Sequence, residues 1–508
     1  RKKIVKLIGN SIKNLQGEKI FPEFKSLEIQ VERPENKNYG DYTTNIALKI
    51  SSLLKKNPIK IASIIEKRLS IKKLRIFEKI EVVRPGFINF FLSKEYLQGE
   101  ILRILEDKKE FGNSKIKKNK KVQIEFISAN PTGPLTVGNA RGGPFGDVLG
   151  NILKRNGWNV KKAYYVNDYG NQILILGHSI LKDSQAQYKG EYIDKLSKAV
   201  IGKNPKQVGK KGAKIIIKGI QETTQRLGIK YDEWLFESSI YKTGLVEDVL
   251  EVLKKRKLTY EKDGATWFKS TKYGDIRDRV LIKSDNSKTY LAGDIAFHQY
   301  KFKEGKFDKV INIWGADHYG DVPGLKAGVK ALSIQKPFEI ILHQFVTFLE
   351  KGEKMKMSKR KGKYLTMDEL LDQINPDIIR FFFLKTSINT HLNFDLDLAK
   401  EQSEKNPVFY IQYAYARICA MLRKCKTQNA KGKNTIQNLK LLEDASELNL
   451  IKELIRFPEI IENTAIDYQV QRLPNYALEL VSAFHKFYEE CRVLTDDKKL
   501  AQARLGLV

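Results

Sequence analysis

The amino-acid sequence predicts an α/β fold: a doubly wound parallel-sheet domain, preceded by a small α+β domain and followed by an all-α helical bundle. Three observations predict it. Apolar runs alternate with helical patterns between residues 122 and 346, which favours a parallel sheet with helices on both faces. The first 113 residues hold a separate, shorter set of strand and helix patterns. After residue 385 helical periodicity alone remains.

The N-terminal domain is expected to span residues 1–113. Alternation of apolar and polar residues predicts its strands, and a repeat of three to four residues predicts its helices. Its expected elements are a strand at 26–32, helices at 43–55 and 61–69, and strands at 80–83 and 87–92. The last two strands flank the turn Arg84-Pro85-Gly86, and the basic run at 115–121 marks the expected boundary.

The parallel-sheet domain is expected to span residues 118–385. Its expected strands are residues 122–127, 161–166, 309–314 and 338–346, and its expected helices are residues 146–156, 171–182 and 319–332. We interpret the lysine-rich, helical sequence at about 183–275 as an insertion between the two halves of the sheet. In such sheets a ligand binds beyond the carboxyl ends of the strands.

The helical bundle is expected to span residues 386–508. Its expected helices are residues 406–423, 447–461 and 474–493. The length of 508 residues is consistent with about three domains.

The composition indicates a chain that binds polyanions. Lysine and arginine number 91 against 60 acidic residues, so the formal net charge is +31, which favours a nucleic-acid partner. A generally lysine-rich surface is the alternative explanation. The 3 cysteines lack metal-ligand spacing and predict neither a disulfide framework nor a zinc site. No apolar run approaches the ~18 residues of a membrane span. We therefore expect a cytoplasmic protein without a membrane segment.

Two strings are suited to holding phosphates. The string ANPTGPLTVGNARGG at 129–143 follows an apolar strand and precedes a helix, so unpaired backbone N–H groups can point at an anion. More than two hundred residues later, KMSK at 356–359 places two lysines on a glycine-flanked loop. Together the strings indicate two sides of one nucleotide site.

These strings, in this order, resemble the signature pair of class I aminoacyl-tRNA synthetases, and more narrowly those of bacterial-type arginyl-tRNA synthetases. The resembling stretches are EFISANPTGPL at 125–135, YYVNDYGNQ at 164–172, YLAGDIAFH at 290–298, WGADH at 314–318, KMSKRKG at 356–362, FDLDLAK at 394–400 and NPVFYIQYAYARI at 406–418. The resemblance implies a Rossmann-type catalytic domain, an N-terminal domain that contacts the outer corner of tRNA and a helical anticodon-binding domain.

The chain departs from this family pattern in two places. The first string usually ends in His-x-Gly-His, where this chain has Thr136-Val137-Gly138-Asn139. Hydroxyl and carboxamide groups can still donate hydrogen bonds to phosphate oxygens. The family's helical domain usually continues beyond the point where this chain stops, so we expect a domain truncated at its C-terminus.

The resemblance also implies roles for individual residues. The residues expected to act in catalysis are Lys356, Lys359, Thr136 and Asn139. Those expected to bind ATP are Pro131, Thr132, Gly133, Gly138, Asn139, Asp317, His318, Met357 and Ser358. Those expected to bind arginine are Glu125, Ser128, Asn130, Tyr290 and Asp294, and those expected to bind tRNA are Asn38, Tyr39, Tyr410, Tyr413 and Arg417.

The resemblance therefore implies an arginine–tRNA ligase, expected as a monomer, that forms an arginyl-adenylate from ATP. Mg²⁺ is expected on the ATP phosphates rather than in a protein site, and no zinc is expected. Two alternatives stay open. One is a non-catalytic RNA-binding paralogue, because both signature histidines are replaced. The other is a neighbouring class I specificity, which would be favoured if Glu125 and Asp294 lay far from the site.

Overall fold

The computed structural model of the chain describes residues 1–24, 28–71, 75–114, 117–355, 365–426 and 438–508. It divides into two compact units. The first contains residues 1–112, 412–459 and 478–508, and the second contains residues 113–411 and 460–477. Within the described ranges no helix is both long and apolar enough to cross a membrane. The predicted domain boundaries stay predictions.

The elements are numbered here in chain order. The strands are β1 (Tyr42–Thr44), β2 (Phe77–Val83), β3 (Phe87–Leu92), β4 (Lys121–Phe126), β5 (Asn159–Val166), β6 (Glu233–Phe236), β7 (Thr259–Lys262), β8 (Ala265–Phe268), β9 (Arg279–Ile282), β10 (Lys309–Gly315), β11 (Phe338–His343), β12 (Val346–Glu350), β13 (Glu353–Lys354) and β14 (Leu392–Asp395). The helices are α1 (Lys2–Gly17), α2 (Ile46–Leu54), α3 (Pro58–Ser70), α4 (Lys94–Asp107), α5 (Val137–Ala140), α6 (Gly142–Arg155), α7 (Asn171–Leu181), α8 (Glu191–Ala199), α9 (Pro205–Arg226), α10 (Glu237–Lys242), α11 (Leu245–Lys255), α12 (Tyr290–Lys303), α13 (Val322–Ala331), α14 (Met367–Leu371), α15 (Pro376–Lys385), α16 (Leu396–Lys400), α17 (Pro407–Lys426), α18 (Ala445–Leu454), α19 (Phe457–Asp467), α20 (Arg472–Glu490) and α21 (Lys498–Leu507).

The second unit is built on a sheet with the strand order β11-β10-β4-β5-β6, and every neighbouring pair in it is parallel. The predicted doubly wound parallel sheet is confirmed. Chain order reverses between β4 and β10, so the connections that leave these two strands run to opposite sides. This is the switch point at which ligands bind in such sheets.

Helix α6 packs closely on the central strand. A Cβ atom on Gly146 would lie 2.3 Å from the ring of Phe126, so only glycine fits at this contact. Val122, Ile124 and Phe126 of β4 are fully buried. The close contact fixes α6, and with it the turn that joins β4 to α6, against the carboxyl end of the sheet.

Four predicted elements were wrong in type or extent. Residues 338–346 form two strands, β11 and β12, rather than one. The stretch 183–275 is not wholly helical, because β6 joins the main sheet and β7 and β8 pair in a small antiparallel sheet with β9. A strand, β14, follows residue 385 and pairs with β12. Residues 28–32 contain only an isolated bridge between Glu32 and Thr43, although 25–27 lie outside the described residues. These short strands depend on distant partners, which local periodicity does not reveal.

The first unit contains the antiparallel sheet β1-β3-β2 together with the C-terminal helices. The turn before β1 ends at Asp41, whose carboxylate accepts a hydrogen bond from the Leu92 amide at 2.7 Å and pairs with Lys452 at 2.7 Å. Gly40 has φ +90°, and a Cβ atom there would lie 2.8 Å from the carbonyl oxygen of Phe90. The turn is therefore held by structural contacts within this unit.

Candidate active site

A cavity of about 1400 Å³ opens at the carboxyl ends of β4 and β10. Its wall combines the turn after β4, the turn after β10, the first turns of α12 and the loop between β9 and α12. Its volume exceeds the ~300–1,000 Å³ of a typical small-molecule site. The predicted residues that line it are Glu125, Ser128, Asn130, Thr136, Gly138, Asn139, Tyr290, Asp294, Asp317 and His318.

The backbone turns sharply where β4 ends. Ile127 has φ 67° and Ser128 has φ 44°, so two consecutive non-glycine residues occupy the left-handed region. A β-branched residue there is strained, and such strain is found mainly at functional sites. The turn places the Ser128 hydroxyl between two groups. This hydroxyl donates a hydrogen bond to Glu125 Oε1 at 3.4 Å and accepts one from the Tyr165 amide at 3.1 Å.

The signature turn is tied to the chain segment that follows residues 356–364. Thr136 and Thr366 form an antiparallel bridge. The Val137 amide donates to the Leu365 carbonyl at 3.2 Å, and the Met367 amide donates to the Leu135 carbonyl at 2.8 Å. Lys356, Met357, Ser358 and Lys359 themselves lie outside the described residues. Even so, the described chain from Leu365 onward is anchored beside the predicted phosphate turn.

Thr136 and Asn139, which stand where the family has histidines, form a pair. Thr136 caps the short helix α5: its hydroxyl oxygen accepts a hydrogen bond from the Asn139 amide at 3.3 Å. The same hydroxyl donates to Asn139 Oδ1 at 2.7 Å. The carboxamide oxygen of Asn139 is thus occupied, and its Nδ2 group is the donor that this side chain can offer to a phosphate oxygen.

Among the carboxyl groups that line the cavity are those of Glu125, Asp294 and Glu237. Burial, reinforced by the neighbouring Glu125 carboxylate, raises the pKa of Asp294 to about 7. Burial, reinforced by Asp294, raises the pKa of Glu237 to about 8. Glu237 Oε2 is buried without a hydrogen-bond partner among the described residues. Neither Asp294 nor Glu237 forms an ion pair with another residue that the structure describes. These two groups are suited to a cationic ligand.

Aromatic rings line the same wall. Tyr165 lies beside Glu237, and the rings of Tyr169 and Tyr241 stack with centroids 4.3 Å apart. Tyr290 also lines the cavity and remains 61% exposed, so its ring face is open to a ligand. Flat rings of this kind can pack against a planar guanidinium or a base.

The other end of the cavity follows β10 and β11. Asp317 and His318 lie in the short helical turn after β10, and His318 Nδ1 is 3.3 Å from Asp321 Oδ2. His343, at the end of β11, lines the same end, and burial lowers its pKa to about 4. This imidazole is therefore neutral at pH 7 and can accept or donate a hydrogen bond without adding charge.

Some predicted residues lie elsewhere. Pro131, Thr132 and Gly133 are not among the residues that line the cavity; the Thr132 carbonyl instead accepts a hydrogen bond from the Tyr192 hydroxyl at 3.0 Å. Asn38 and Tyr39 belong to the short helical turn before β1, in the first unit, where the Tyr39 ring is exposed. Tyr410 is half-buried in the second unit.

Tyr413 and Arg417 form a cationic and aromatic cluster on the surface of the first unit. The Arg417 guanidinium lies 4.4 Å from the Tyr413 ring centroid and 4.8 Å from that of Tyr488. It also donates a hydrogen bond to the Tyr413 hydroxyl at 2.7 Å. The Tyr413 side chain is exposed and not part of the core. Such a cluster can stack on an unpaired base.

Two residues beside the cavity do not follow from motif reading. Glu237 begins α10 directly after the edge strand β6, a strand that the sequence pattern missed. Lys301 lies near the end of α12 and contacts Glu125. A local signal for Lys301 exists, because α12 carries four polar residues on one helical face, spaced four, four and three apart: Tyr290, Asp294, His298 and Lys301. No local signal identifies Glu237.

Within the described ranges no group of three or more histidine, cysteine, aspartate or glutamate side chains could hold a metal ion. The cavity offers carboxyl groups for a cation at one end, and N–H and carboxamide donors for an anion at the turn after β4.

Comparisons with known proteins match this arrangement. Three family models match in order: an arginyl tRNA synthetase N terminal domain at residues 2–92, the class I (R) tRNA synthetase catalytic domain at 100–208 and 191–377, and the DALR anticodon binding domain at 411–508. An arginine–tRNA ligase of Caldanaerobacter subterraneus is 41% identical over 96% of this chain and 91% of its own length. An arginine–tRNA ligase of Halalkalibacterium halodurans is 40% identical over 95% of this chain and 90% of its own length. The solved arginyl-tRNA synthetase of Thermus thermophilus shares the fold, with a TM-score of 0.77 at 20% identity over 100% of this chain and 96% of that one.

Proposed function

The chain belongs to the class I arginyl-tRNA synthetase family, and from that premise we propose how its residues join L-arginine to the cognate tRNA through an arginyl-adenylate. The overall reaction converts ATP, arginine and tRNA into arginyl-tRNA, AMP and pyrophosphate. One observation carries the assignment of roles: the cavity presents two carboxyl groups with no ion-pair partner among the described residues, Asp294 and Glu237, at one end and a phosphate-type turn at the other.

Arginine is held at the end of the cavity where the carboxyl groups of Glu125, Asp294 and Glu237 lie. A guanidinium presents a planar fork of N–H donors, which fits two carboxylates better than it fits one. Asp294 and Glu237 supply these two, and Glu125 faces the α-ammonium group. Ser128, Asn130 and Tyr290 complete the wall. Because Glu125 and Asp294 lie on one cavity, the structure disfavours the neighbouring class I specificity considered above.

ATP is held at the turn after β4. Gly138 and Asn139 face the phosphates, and Asp317 and His318 lie at the adenosine end. Lys356 and Lys359 close over the leaving pyrophosphate and balance the growing negative charge. Mg²⁺ arrives bound to the phosphates of ATP, so its ligands are phosphate oxygens and water. The reaction then needs positioning more than covalent help from the protein.

The tRNA contacts are distributed along the first unit. The cluster of Tyr413 and Arg417 supports contact with anticodon-loop bases, and the exposed ring of Tyr39 supports contact with the tRNA outer corner. Tyr410 stays a prediction, as do the monomeric state and a cytoplasmic location. No observation favours the non-catalytic RNA-binding paralogue, since carboxyl groups and phosphate turn are both present on one cavity.

The experiment that tests this function is ATP–pyrophosphate exchange with arginine, run with and without the cognate tRNA and with lysine as the control amino acid. We expect exchange with arginine and none above background with lysine. Absence of exchange under every condition, in protein shown to be folded by circular dichroism, would contradict the function and would mean that Thr136 and Asn139 do not replace the two histidines.

A further inference from the structure

Lys301 is a fully buried ammonium group whose contacts all lie next to the amino-acid end of the cavity. Its Nζ donates to Glu125 Oε2 at 2.6 Å and to Asn312 Oδ1 at 3.3 Å. It also lies 4.4 Å from the Phe297 ring centroid. Its side chain is 0% exposed, so Lys301 itself is closed to solvent. Burying an ammonium group is costly unless a partner compensates for the lost hydration, and Glu125 is that partner.

Glu125 is thereby held from two sides. Lys301 occupies Oε2, and the Ser128 hydroxyl donates to Oε1 at 3.4 Å. The longer contact at Oε1 leaves that oxygen available to a ligand, because a carboxylate oxygen accepts more than one hydrogen bond. Glu125 lines the cavity. The buried ion pair therefore sets which oxygen the carboxylate presents to the cavity.

A chain of hydrogen bonds runs from the same lysine through Asn312 of β10 and back to Asp294, which lies two turns earlier on the same helix. Asn312 Oδ1 accepts from Lys301, and Asn312 Nδ2 lies 2.8 Å from His298 Nε2. The other ring nitrogen, Nδ1, lies 2.7 Å from the Asp294 carbonyl oxygen. Burial, with Lys301 nearby, holds the pKa of His298 well below its usual value. The neutral imidazole thus donates from Nδ1 and accepts at Nε2, which is the one tautomer that satisfies both neighbours.

We propose that Lys301 is a positioning residue of the arginine site: its ammonium group holds the Glu125 carboxylate in the orientation that faces the α-ammonium group of the substrate. This inference rests on the proposed function and assigns to Lys301 a part in it.

A double-mutant cycle tests the proposal. The variants are Lys301→Met, which removes the charge and keeps a similar length, Glu125→Gln, and the two combined. Lys303→Met, on the same helix at an exposed position, is the matched control. The arginine KM, the ATP KM and kcat are measured by pyrophosphate exchange, and folding is followed by circular dichroism. We expect Lys301→Met to raise the arginine KM about tenfold or more while the ATP KM changes little, and Lys303→Met to change neither.

The combined variant separates positioning from simple support of the fold. If Lys301 acts through Glu125, then Lys301→Met adds little to the arginine KM once Glu125→Gln is present, because the group it positions is already gone. The glutamine in Glu125→Gln keeps an oxygen acceptor for the Lys301 ammonium group, so the comparison of Glu125→Gln with the combined variant does not require Lys301→Met alone to fold. A full additional loss in the Glu125→Gln background would overturn the proposal.

Two further results are also decisive. An unchanged arginine KM in folded Lys301→Met, with only a lower melting temperature, would reduce the pair to a structural role and overturn the proposal. Lys301→Arg keeps the charge in a larger group, and partial recovery of the arginine KM relative to Lys301→Met would support it. Wild-type protein without arginine-dependent exchange would instead contradict the proposed function, and the inference would fall with it.

Discussion

Asp294 and Glu237 are partly protonated at pH 7, because burial raises the pKa of the first to about 7 and that of the second to about 8. A guanidinium binds their ionised forms. We therefore expect the arginine KM to fall as pH rises from about 6 to about 8.5, and to fall by up to about tenfold per pH unit for each group that must ionise. Pyrophosphate exchange across this range measures it. The same linkage predicts proton release on binding, visible by calorimetry in two buffers of different ionisation enthalpy.

The free protein should respond to pH in the opposite direction. A carboxyl group with a raised pKa in the folded state favours folding when protonated, so its contribution is lost as pH rises through about 7 to 8. The stabilisation by saturating arginine should accordingly be larger at pH 8.5 than at pH 6, as a shift in melting temperature. Glu237→Gln removes the higher titration and should flatten both curves. A wild-type arginine KM that is constant between pH 6 and 9 would contradict this assignment.

At the scale of elements, Arg141 joins the signature turn to two loops, one between β11 and β12 and one before β14. Arg141 is the residue between α5 and α6 in the chain, and its side chain is fully buried. One terminal nitrogen donates to the Gln344 carbonyl at 2.6 Å and the Phe345 carbonyl at 3.0 Å, between β11 and β12. The other donates to the Ser387 carbonyl at 3.3 Å and the Thr390 carbonyl at 2.5 Å, before β14.

Arg141→Met should lower the free energy of unfolding by about 3–5 kcal/mol, because buried carbonyl oxygens lose a charged donor and nothing replaces it. Lys154→Met, at an exposed position of α6, should change the free energy of unfolding by less than about 0.5 kcal/mol. Urea denaturation followed by circular dichroism measures both. Equal losses in the two variants would show that the network around Arg141 does not hold these loops.

The same elements show what local sequence can predict. Strands β4 and β10 are mainly apolar and largely buried, so their position and the turns that follow them could be predicted, and with them Glu125, Asn139 and Asp317. The four-residue strand β6 has half-buried side chains at a sheet edge and depends on pairing with β5, which lies some seventy residues earlier. Because β6 was not predicted, Glu237, which directly follows it, was not predicted as a site residue either. Lys301 was missed despite the polar face that it shares with Asp294 and His298, because a lysine near the end of a helix usually lies at the surface.

At the scale of the whole molecule, the formal net charge of +31 predicts that tRNA binding is strongly electrostatic. Each phosphate contact releases counterions, so the tRNA dissociation constant should rise by about tenfold or more between 50 and 200 mM salt. Arginine binds in a cavity whose carboxyl groups are buried, and buried pairs are screened much less. The arginine-induced shift in melting temperature should therefore change little over the same range. Fluorescence anisotropy with labelled cognate and non-cognate tRNA measures the first quantity, and both tRNAs should share the salt slope because phosphates are common to them. A flat response of tRNA binding to salt would mean that the basic residues serve solubility and do not meet the tRNA backbone.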